Sequence, residues 1–301
     1  MDDGLRKLVG DARKLTERAL QLLPGGMSVE WQNCRAAMWH HNGLTSGFIA
    51  HSELDQISLD DLLEIDYQKA AIDRNTRQFL AGVPSNNVLL WGARGTGKSS
   101  LIHALINAHA DEGLRLVEVG KTLLAGLPEI VRRLKDEPYR FVLFCDDLSF
   151  EADDPTYKVL KSALEGSMFR SSGNVLIYAT SNRRHLLPEY MSDNEGASFV
   201  EGELHSSEVV EEKISLSDRF GLWLSFYPFK QQAYLSVVHH WVKRLAEEHD
   251  LKLTWDDAAD KAALRWALAR GVRSGRTAQH FARDYVGQQR LQLLDAIRTR
   301  S

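Results

Sequence analysis

The residues best suited to chemistry lie between Gly92 and Ser99, where the sequence reads GARGTGKS. Apolar residues at 88–91 predict a buried strand before this stretch, and an amphipathic run after it predicts a helix. Because glycines tolerate positive φ, successive N–H groups and the positive end of that helix could surround a phosphate. The predicted phosphate contacts come from Gly92, Ala93, Arg94, Gly95, Thr96, Gly97, Lys98, Ser99 and Ser100.

The spacing within this stretch is that of a phosphate-binding loop, with a glycine, four residues and Gly-Lys-Ser between a strand and a helix. In that pattern Lys98 would reach the terminal phosphates of a nucleotide, and the hydroxyl of Ser99 would be offered to Mg²⁺. The alternative is a glycine-rich turn that matches by coincidence. The flanking strand and helix make that the weaker interpretation.

Paired carboxylates, Asp146 and Asp147, follow a second apolar run at 141–145. A buried strand would deliver both acids to the sheet edge where ligands bind in open α/β folds. Asp146 would hold Mg²⁺, mostly through water, and Asp147 would orient or deprotonate an attacking water. A strand ending in acids is common, but its position after a phosphate loop makes this one a specific indication of a nucleotide site.

Two further polar residues are candidates for the same site. Asn182 follows a third predicted strand, 174–179, and could sense the γ-phosphate from a place beside the acids; the alternative is a capping Asn at a strand exit. Arg219 precedes the last apolar strand, 222–227. It could pair with Asp218, lie on the surface, or reach the γ-phosphate of a neighbouring subunit and stabilise transition-state charge.

Arg273 and Arg276 lie at the predicted N-terminus of the last helix. Cations are normally unfavourable at that end of a helix dipole. A bound phosphate would explain both arginines, and pairing with nearby carboxylates is the alternative.

The elements that must position these groups follow from the spacing of apolar residues. Alternation over 114–119 predicts a further strand, and residues 66–80 predict an amphipathic helix before the phosphate loop. Ile65 and Tyr67, at the start of that helix, are candidates for contact with a nucleotide base. A role in the core is the alternative for both.

The two ends of the chain differ in their predicted structure. Apolar residues at helical spacing predict a helix over 5–23, whereas 27–50 shows no clear period.

The acidic stretch 186–213, rich in Gly and Ser, predicts either a contact loop toward a neighbour or substrate or a solvated insertion. Beyond residue 229 the pattern is helical throughout. The helices predicted there are 231–249, 256–270 and 277–298.

Composition narrows the class of protein. A chain of 301 residues is long enough for more than one unit. A net charge of −4 gives no global electrostatic reason to expect nucleic acid or an anionic membrane as partner. Cys34 and Cys145 form neither a disulfide framework nor a zinc ligand set. Because we find no run long enough to cross a bilayer, we expect a cytoplasmic protein.

The order of these motifs resembles that of the AAA+ ATPases. The exact runs are similar to an uncharacterised bacterial AAA+ family, domain of unknown function 815, over about residues 62–286. Four stretches carry the resemblance: NNVLLWGARGTGKSSL, YRFVLFCDDLSFE, NVLIYATSNRRHLLPEYMSDNEG and EEKISLSDRFGLWLSFYPF.

The resemblance implies an α/β fold, a three-layer P-loop NTPase sheet with a parallel five-stranded core, followed by an all-helical lid. It divides the chain into a helical or irregular extension (1–57), a nucleotide-binding domain (58–228) and the lid (229–301). It also implies ATP and Mg²⁺ as ligands, and a homo-oligomeric ring, with a hexamer as one option, that acts on an unknown protein partner.

The resemblance further assigns a role to each motif. It implies Walker A at Gly92 to Ser99, Walker B at Asp146 and Asp147, sensor 1 at Asn182, the arginine finger at Arg219, and sensor 2 at Arg273 with Arg276 as its rival. Asp147 departs from the usual Glu, which is one methylene longer, so a water bridge or slow turnover is expected. Residues 119–123 lack the aromatic of polypeptide-threading pore loops.

The motifs leave three functions open. The first is an ATPase that hydrolyses ATP to ADP and phosphate and thereby remodels a macromolecular partner. The second is a nucleotide-gated binding module with incidental hydrolysis. The third is a DNA-associated loader, for which the basic clusters 132–135 and 183–185 are the sole support. Each cluster is better explained as a solvated face or an ion-paired turn.

Overall fold

The computed structural model describes residues 29–42, 45–51, 54–150, 154–165, 173–184, 186, 198–200, 203–205 and 216–298. The predicted helix over 5–23 and most of the acidic stretch 186–213 lie outside these residues. The described chain forms a seven-stranded sheet, a separate two-stranded sheet and a C-terminal group of helices.

Five parallel strands make up the centre of the large sheet, in the spatial order β4-β5-β6-β3-β9. This confirms the predicted five-stranded parallel core. The strand that leads into the phosphate loop, β3, lies between β6 and β9, so its carboxyl end opens beside the end of β6. The bounds are β3 (Val88–Gly92), β4 (Leu114–Glu118), β5 (Arg140–Cys145), β6 (Val175–Ser181) and β9 (Leu222–Phe226).

Two additional strands, β1 (Ala36–His41) and β2 (Ser46–Ala50), extend the sheet beyond β4. They come from 27–50, where the sequence predicts no regular element and an extension separate from the nucleotide-binding domain. β1 runs parallel to β4 and antiparallel to β2. Its buried residues are Ala36, Ala37 and Trp39, whereas Met38, on the same face as Ala36, is 40% exposed, so the apolar alternation typical of a strand is weak.

Helices cover both faces of the sheet. One face packs against α1 (Asp66–Leu80) and α2 (Lys98–His109), and the other against α3 (Leu127–Leu134) and α4 (Pro155–Glu165). Successive strand residues alternate between the two cores: Leu89 belongs to one, and Val88 and Leu90 to the other. This alternation produces the predicted three layers, because every central strand is buried on both sides.

The C-terminal helices are α5 (Gln231–Glu248), α6 (Asp257–Ala269) and α7 (Gly275–Arg298). They pack around a core of their own that includes Tyr234, Val238 and Phe281, which confirms the helical C-terminal region. Asp256 is the N-cap of α6, and its carboxylate accepts a hydrogen bond from the N–H of Ala259.

The short strands β7 (Ser198–Val200) and β8 (Glu203–His205) pair antiparallel as the two-stranded sheet. Across the described ranges, no helix combines the length and the apolar composition needed to cross a bilayer.

Candidate nucleotide-binding site

A cavity of about 710 Å³ lies at the carboxyl edge of the central strands. Three parts of the chain enclose it: the phosphate loop with the ends of β5 and β6, the segment 55–65 before α1, and the lid helices α5 and α7. Ligands bind at this edge of open α/β sheets, because loops and helix N-termini converge there. The cavity therefore lies where the sequence predicts a nucleotide.

The phosphate loop takes a conformation that requires its glycines. Gly92, Gly95 and Gly97 have φ of 131°, 74° and 99°, in the region that favours glycine. A Cβ on Gly92 would lie 2.0 Å from the carbonyl oxygen of Phe226 in β9. Gly97 is the N-cap of α2, so the positive end of that helix faces the cavity. The loop thus has the backbone geometry of an anion cradle.

Lys98 lies in the first turn of α2, with 7% of its surface exposed. Its Nζ donates to the carbonyl oxygens of Gly92 and Ala93, each at 2.8 Å, and to Asn182 Oδ1 at 3.1 Å. Burial lowers the pKa of Lys98 to about 8, although the nearby carboxylates act in the opposite direction. A buried cation surrounded by neutral acceptors is well placed to exchange them for phosphate oxygens.

Ser99 and Asp146 are in direct contact, with Ser99 Oγ donating to Asp146 Oδ1 at 2.7 Å. The hydroxyl of Thr180, near the end of β6, donates to the same oxygen at 2.5 Å. The structure therefore brings together the two residues predicted to serve Mg²⁺. It adds Thr180, which no prediction from the sequence singled out.

Asp147 follows Asp146 directly, with a φ of 50° in the left-handed region. Its N–H donates to Thr180 Oγ1 at 2.9 Å, and one carboxylate oxygen accepts from Nδ2 of Asn182. Asn182 in turn accepts from Lys98, so its amide joins the acid predicted to act on water to the lysine predicted to bind phosphate. This position suits a residue that responds to the γ-phosphate.

The side-chain oxygens of Ser99 and Asp146 fit Mg²⁺ bound together with a nucleotide. Mg²⁺ is commonly bound by one or two side-chain oxygens, with phosphate oxygens and water completing six positions. The hydroxyl of Ser99 and the carboxylate of Asp146, already in contact, are such a pair. Among the described residues, no group of three or more His, Cys, Asp or Glu side chains could hold a metal unaided.

The lid contributes Arg276 to the cavity lining, together with Gln279 and Arg283 one and two turns further along α7. The N–H of Arg276 donates to the carbonyl oxygen of Gly95 at 3.0 Å. Arg273, the residue preferred from the sequence as sensor 2, is not among the lining residues, and its Nε donates to the Phe229 carbonyl at 3.2 Å. Of the two rivals, Arg276 is the one that lines the cavity.

Arg219 is half-buried just before β9 and is not among the residues that line the cavity of its own chain. Its backbone N–H donates to the carbonyl oxygen of Leu216 at 3.3 Å, in the turn that precedes the strand.

Part of the cavity lining is apolar. Ile65, Leu62 and Leu63 line it from the core side, and Val237 and Trp241 line it from the lid. Of the two predicted base contacts, Ile65 thus lies at the cavity. Tyr67 is 75% exposed and does not line it, because the helical turn directs its side chain outward.

An ion pair among the lining residues could not be anticipated from sequence spacing. Asp61, whose side chain is 10% exposed, accepts from Arg244 Nη1 at 2.5 Å and from His240 Nε2 at 3.1 Å. Burial alone would raise the pKa of Asp61, but hydrogen bonds from Ser58, Arg244 and His240 outweigh it and lower the pKa to about 2. The pair connects the segment before α1 to lid helix α5.

Comparison with solved structures shows what the fold is similar to. RuvB of Thermotoga maritima, a Holliday junction branch migration motor, is 18% identical and aligns at a TM-score of 0.50 over 76% of this chain and 64% of that chain. ORC1 of Aeropyrum pernix, solved in complex with DNA, is 16% identical at a TM-score of 0.51, over 76% and 61%. The chain therefore spans less than two thirds of each structure, and its fold is that of the AAA+ P-loop ATPases.

The family follows from a match over most of the sequence. Residues 32–289 match the family described as Protein of unknown function (DUF815), and the chain belongs to that family. Comparison with curated proteins finds no significant match.

Proposed function

We propose that this protein binds ATP with Mg²⁺, hydrolyses it to ADP and phosphate, and couples hydrolysis to the rearrangement of a macromolecular partner. The observation that carries the proposal is a continuous hydrogen-bond network at the floor of the cavity. It runs from Lys98 through Asn182 to Asp147, and from the backbone of Asp147 through Thr180 to Asp146 and Ser99. The groups proposed to bind phosphate, hold the metal and activate water are thereby linked by hydrogen bonds.

The chain's own residues would act mainly by positioning and by stabilising charge. The N–H groups of the phosphate loop and the ammonium of Lys98 would bind the β- and γ-phosphates. Asp147 would orient the attacking water and accept its proton, with Asn182 holding the carboxylate in place. Mg²⁺ bound at Ser99 and Asp146 would neutralise phosphate charge. Donors fixed in advance favour the transition state, because they need not reorganise during the reaction.

The length of Asp147 sets an expectation for the rate. Its carboxylate is one methylene shorter than the Glu usual at this position in the superfamily, and one of its oxygens already accepts from Asn182. Direct contact with the attacking water requires a short approach, because a general base works within hydrogen-bond reach of the proton it removes. We therefore expect slow basal hydrolysis that a partner or a neighbouring subunit accelerates.

A homo-oligomer follows from the same proposal. Arg219 lies outside the cavity of its own chain, so in a ring it would serve the site of the adjacent subunit. An arginine supplied in this way stabilises the charge that develops on the transferred phosphoryl group. The cytoplasm remains the proposed location.

A nucleotide-gated binding module is the second candidate. The observation that favours it is the region after β4, where Lys121–Gly126 forms a 3₁₀ helix and Lys121 is paired with Asp154 at 2.7 Å. This segment carries no aromatic residue for gripping a polypeptide, and its lysine is already bound within the chain. Threading is therefore not proposed for this protein.

A DNA-associated role is the third candidate, since RuvB is named as a Holliday junction motor and the ORC1 structure contains DNA. The basic clusters have partners within the chain: Arg133 pairs with Glu129 at 2.6 Å, and the guanidinium of Arg184 lies over the ring of Trp91. Salt-dependent DNA affinity would support this role, and no affinity at low salt would exclude it.

The central experiment separates binding from hydrolysis. Lys98→Ala should abolish binding of fluorescent ATP, because the cradle loses its buried cation. Asp147→Asn should bind ATP normally and lose turnover. Lys261→Ala and Asp111→Asn, at exposed positions outside the cavity, are the matched controls. Unchanged turnover in both site variants would overturn the mechanism.

A second measurement separates the motor from the switch. Single-turnover hydrolysis is followed with and without a lysate of the cells that contain the protein, depleted of nucleotides. A motor should be stimulated well above its basal rate, and a switch should keep its basal rate while its partner affinity changes between ATP and ADP.

A further inference from the structure

We propose that Thr180 is a positioning residue whose single hydroxyl orients both acids and thereby sets the preference of the site for Mg²⁺-bound over metal-free nucleotide. The inference rests on the proposed nucleotide site and deepens it. Thr180 belongs neither to the Walker motifs nor to the sensor position.

The hydroxyl of Thr180 lies between the two carboxylate residues. It is 2.5 Å from Asp146 Oδ1 and 2.9 Å from the backbone nitrogen of Asp147. Thr180 is 2% exposed, so water does not substitute freely for either bond. β6 places it there because the ends of β5 and β6 are adjacent in the parallel sheet.

The direction of both bonds follows from counting protons. A hydroxyl has one proton to donate and lone pairs to accept with. The backbone N–H of Asp147 can only donate, so that bond uses a lone pair of Thr180 Oγ1. The proton of Thr180 is then available to Asp146, whose ionised carboxylate can only accept. The two hydrogen bonds are therefore compatible, and the hydroxyl oxygen of Thr180 holds both Asp146 and Asp147 in place.

The consequence for Asp146 is a fixed carboxylate. Oδ1 accepts from both Thr180 and Ser99, at 2.5 and 2.7 Å, whereas Oδ2 takes part in neither bond. Two donors on one oxygen hold the rotation of the carboxylate about its Cβ–Cγ bond. Side chains that orient a metal ligand in this way commonly control metal affinity without touching the metal.

The consequence for Asp147 is a fixed backbone. With φ of 50°, it occupies a region that few residues other than glycine adopt. The bond from its N–H to Thr180 Oγ1 and the bond from the N–H of Leu148 to the Thr180 carbonyl, at 2.7 Å, hold the chain in this turn. The side chain of Asp147 is thereby directed to Asn182.

The test compares nucleotide affinity with and without the metal. Thr180→Val keeps the branched shape and removes the hydroxyl, whereas Thr180→Ser keeps the hydroxyl. Thr76→Val is the matched control, because Thr76 is also fully buried and its hydroxyl bonds to Ile72 and Tyr178, away from the acids. The probe is fluorescent ADP, titrated once in EDTA and once at a series of Mg²⁺ concentrations.

We expect Thr180→Val to raise the Mg²⁺ concentration needed for tight ADP binding by about 10- to 100-fold, as is typical when the partner of a metal ligand is removed. Its ADP affinity in EDTA should match the wild type, and Thr180→Ser should restore the Mg²⁺ response. Thr76→Val should bind ADP as the wild type does, both in EDTA and across the series of Mg²⁺ concentrations.

Other outcomes overturn the inference in distinguishable ways. A wild-type Mg²⁺ response in Thr180→Val, or an equal loss of affinity with and without Mg²⁺, would show that the residue is merely structural. Thr180→Ala, read by the same criteria, replaces Thr180→Val if the latter does not fold. A wild-type protein that binds no nucleotide would overturn the proposed function itself.

Discussion

The backbone N–H of Arg276 donates to the carbonyl oxygen of Gly95 at 3.0 Å, so the first turn of lid helix α7 is hydrogen-bonded to the phosphate loop. Ser274 and the Cβ of Arg276 also lie against Gly95. Because the contact involves the loop backbone itself, a lid movement that displaces α7 must break it or carry the loop along. The lid and the phosphate site are therefore mechanically linked at one glycine.

The first prediction distinguishes the two lid arginines. Arg276→Ala should weaken ATP binding by about 10-fold or more, because a hydrogen bond between charged groups is worth about 1.5–3 kcal/mol. Arg273→Ala should have a smaller effect, since the Arg273 guanidinium contacts the Phe229 carbonyl and does not line the cavity. Titration of both variants with fluorescent ATP provides the comparison. A greater loss in Arg273→Ala would restore the assignment preferred from the sequence.

The second prediction concerns Gly95. A Cβ there would lie 2.9 Å from both Ser274 Oγ and Arg276 Cβ, at a φ of 74°. Gly95→Ala should therefore separate the lid from the loop and weaken nucleotide binding. Gly287→Ala is the control: Gly287 is exposed within α7 with open space around its Cα, so that change should raise stability by about 0.5–1 kcal/mol. Thermal unfolding and nucleotide titration are measured on both variants; full affinity in Gly95→Ala would contradict the linkage.

Much of the fold and site could be predicted because local sequence determines it. The helix predicted over 66–80 has those bounds in the structure, and the apolar runs at 88–91 and 141–145 are buried strands. Their polar termini meet because carboxyl ends of parallel strands share an edge, which is a property of the fold class. Asp146 and Ser99 could thus be paired from sequence alone.

The remainder depends on contacts between distant residues. Asp61 lies before α1 and Arg244 lies in α5, and the two form an ion pair only when these distant parts of the chain pack together. Whether Arg273 or Arg276 faces the cavity depends on the rotation of the first turn of α7, which spacing cannot determine. β1 was missed because two of its three buried residues are adjacent alanines and Met38 is exposed, so the sequence shows no regular apolar alternation there.

The third prediction is a pH dependence of nucleotide affinity. The pKa of Lys98 is lowered from 10.5 to about 8, so its ammonium loses its proton above that pH. A bound phosphate would raise this pKa, and binding above about pH 8 would take up a proton. Affinity for ADP should then fall by up to about tenfold per pH unit. Lys98→Arg keeps its charge and should remove the slope; a flat wild-type profile from pH 7 to 9.5 would contradict this account.

The lowered pKa of Lys98 also makes the free energy of unfolding depend on pH. Between about 8 and 10.5 the unfolded chain holds the Lys98 proton more firmly than the folded chain. The free energy of unfolding should therefore gain a contribution that rises with pH across this window. Urea unfolding of the wild type and of Lys98→Met is measured at pH 7.5 and at pH 10. The contribution of Lys98 is the change, between the two pH values, in the difference between the free energies of unfolding of the two proteins.

The fourth prediction concerns Asp61. Its pKa is about 2 in the folded protein against an ordinary 3.8, so its stabilising contacts are fully present above about pH 4 and are lost as pH falls toward 2. At pH 7, Asp61→Asn should lower the free energy of unfolding by about 1–3 kcal/mol, and the difference from the wild type should shrink in acid. Asp111→Asn, which removes an exposed pair with Arg35, should lower it by about 0–1 kcal/mol. Equal losses in the two variants would contradict the buried pair's role.

The fifth prediction assigns residues to the two sides of a shared site. If Arg219 serves the adjacent subunit, Arg219→Ala and Asp147→Asn should each be inactive alone and active when mixed. With random assembly of equal amounts, about a quarter of the interfaces in a ring combine an intact Asp147 with a neighbour's intact Arg219. Lys98→Ala subunits should also rescue Arg219→Ala, since they supply the arginine, but should not rescue Asp147→Asn. If neither Asp147→Asn nor Lys98→Ala subunits rescue Arg219→Ala at any ratio, Arg219 does not act in catalysis at a neighbouring subunit. If both variants rescue Arg219→Ala but do not rescue each other, each site must draw residues from two chains.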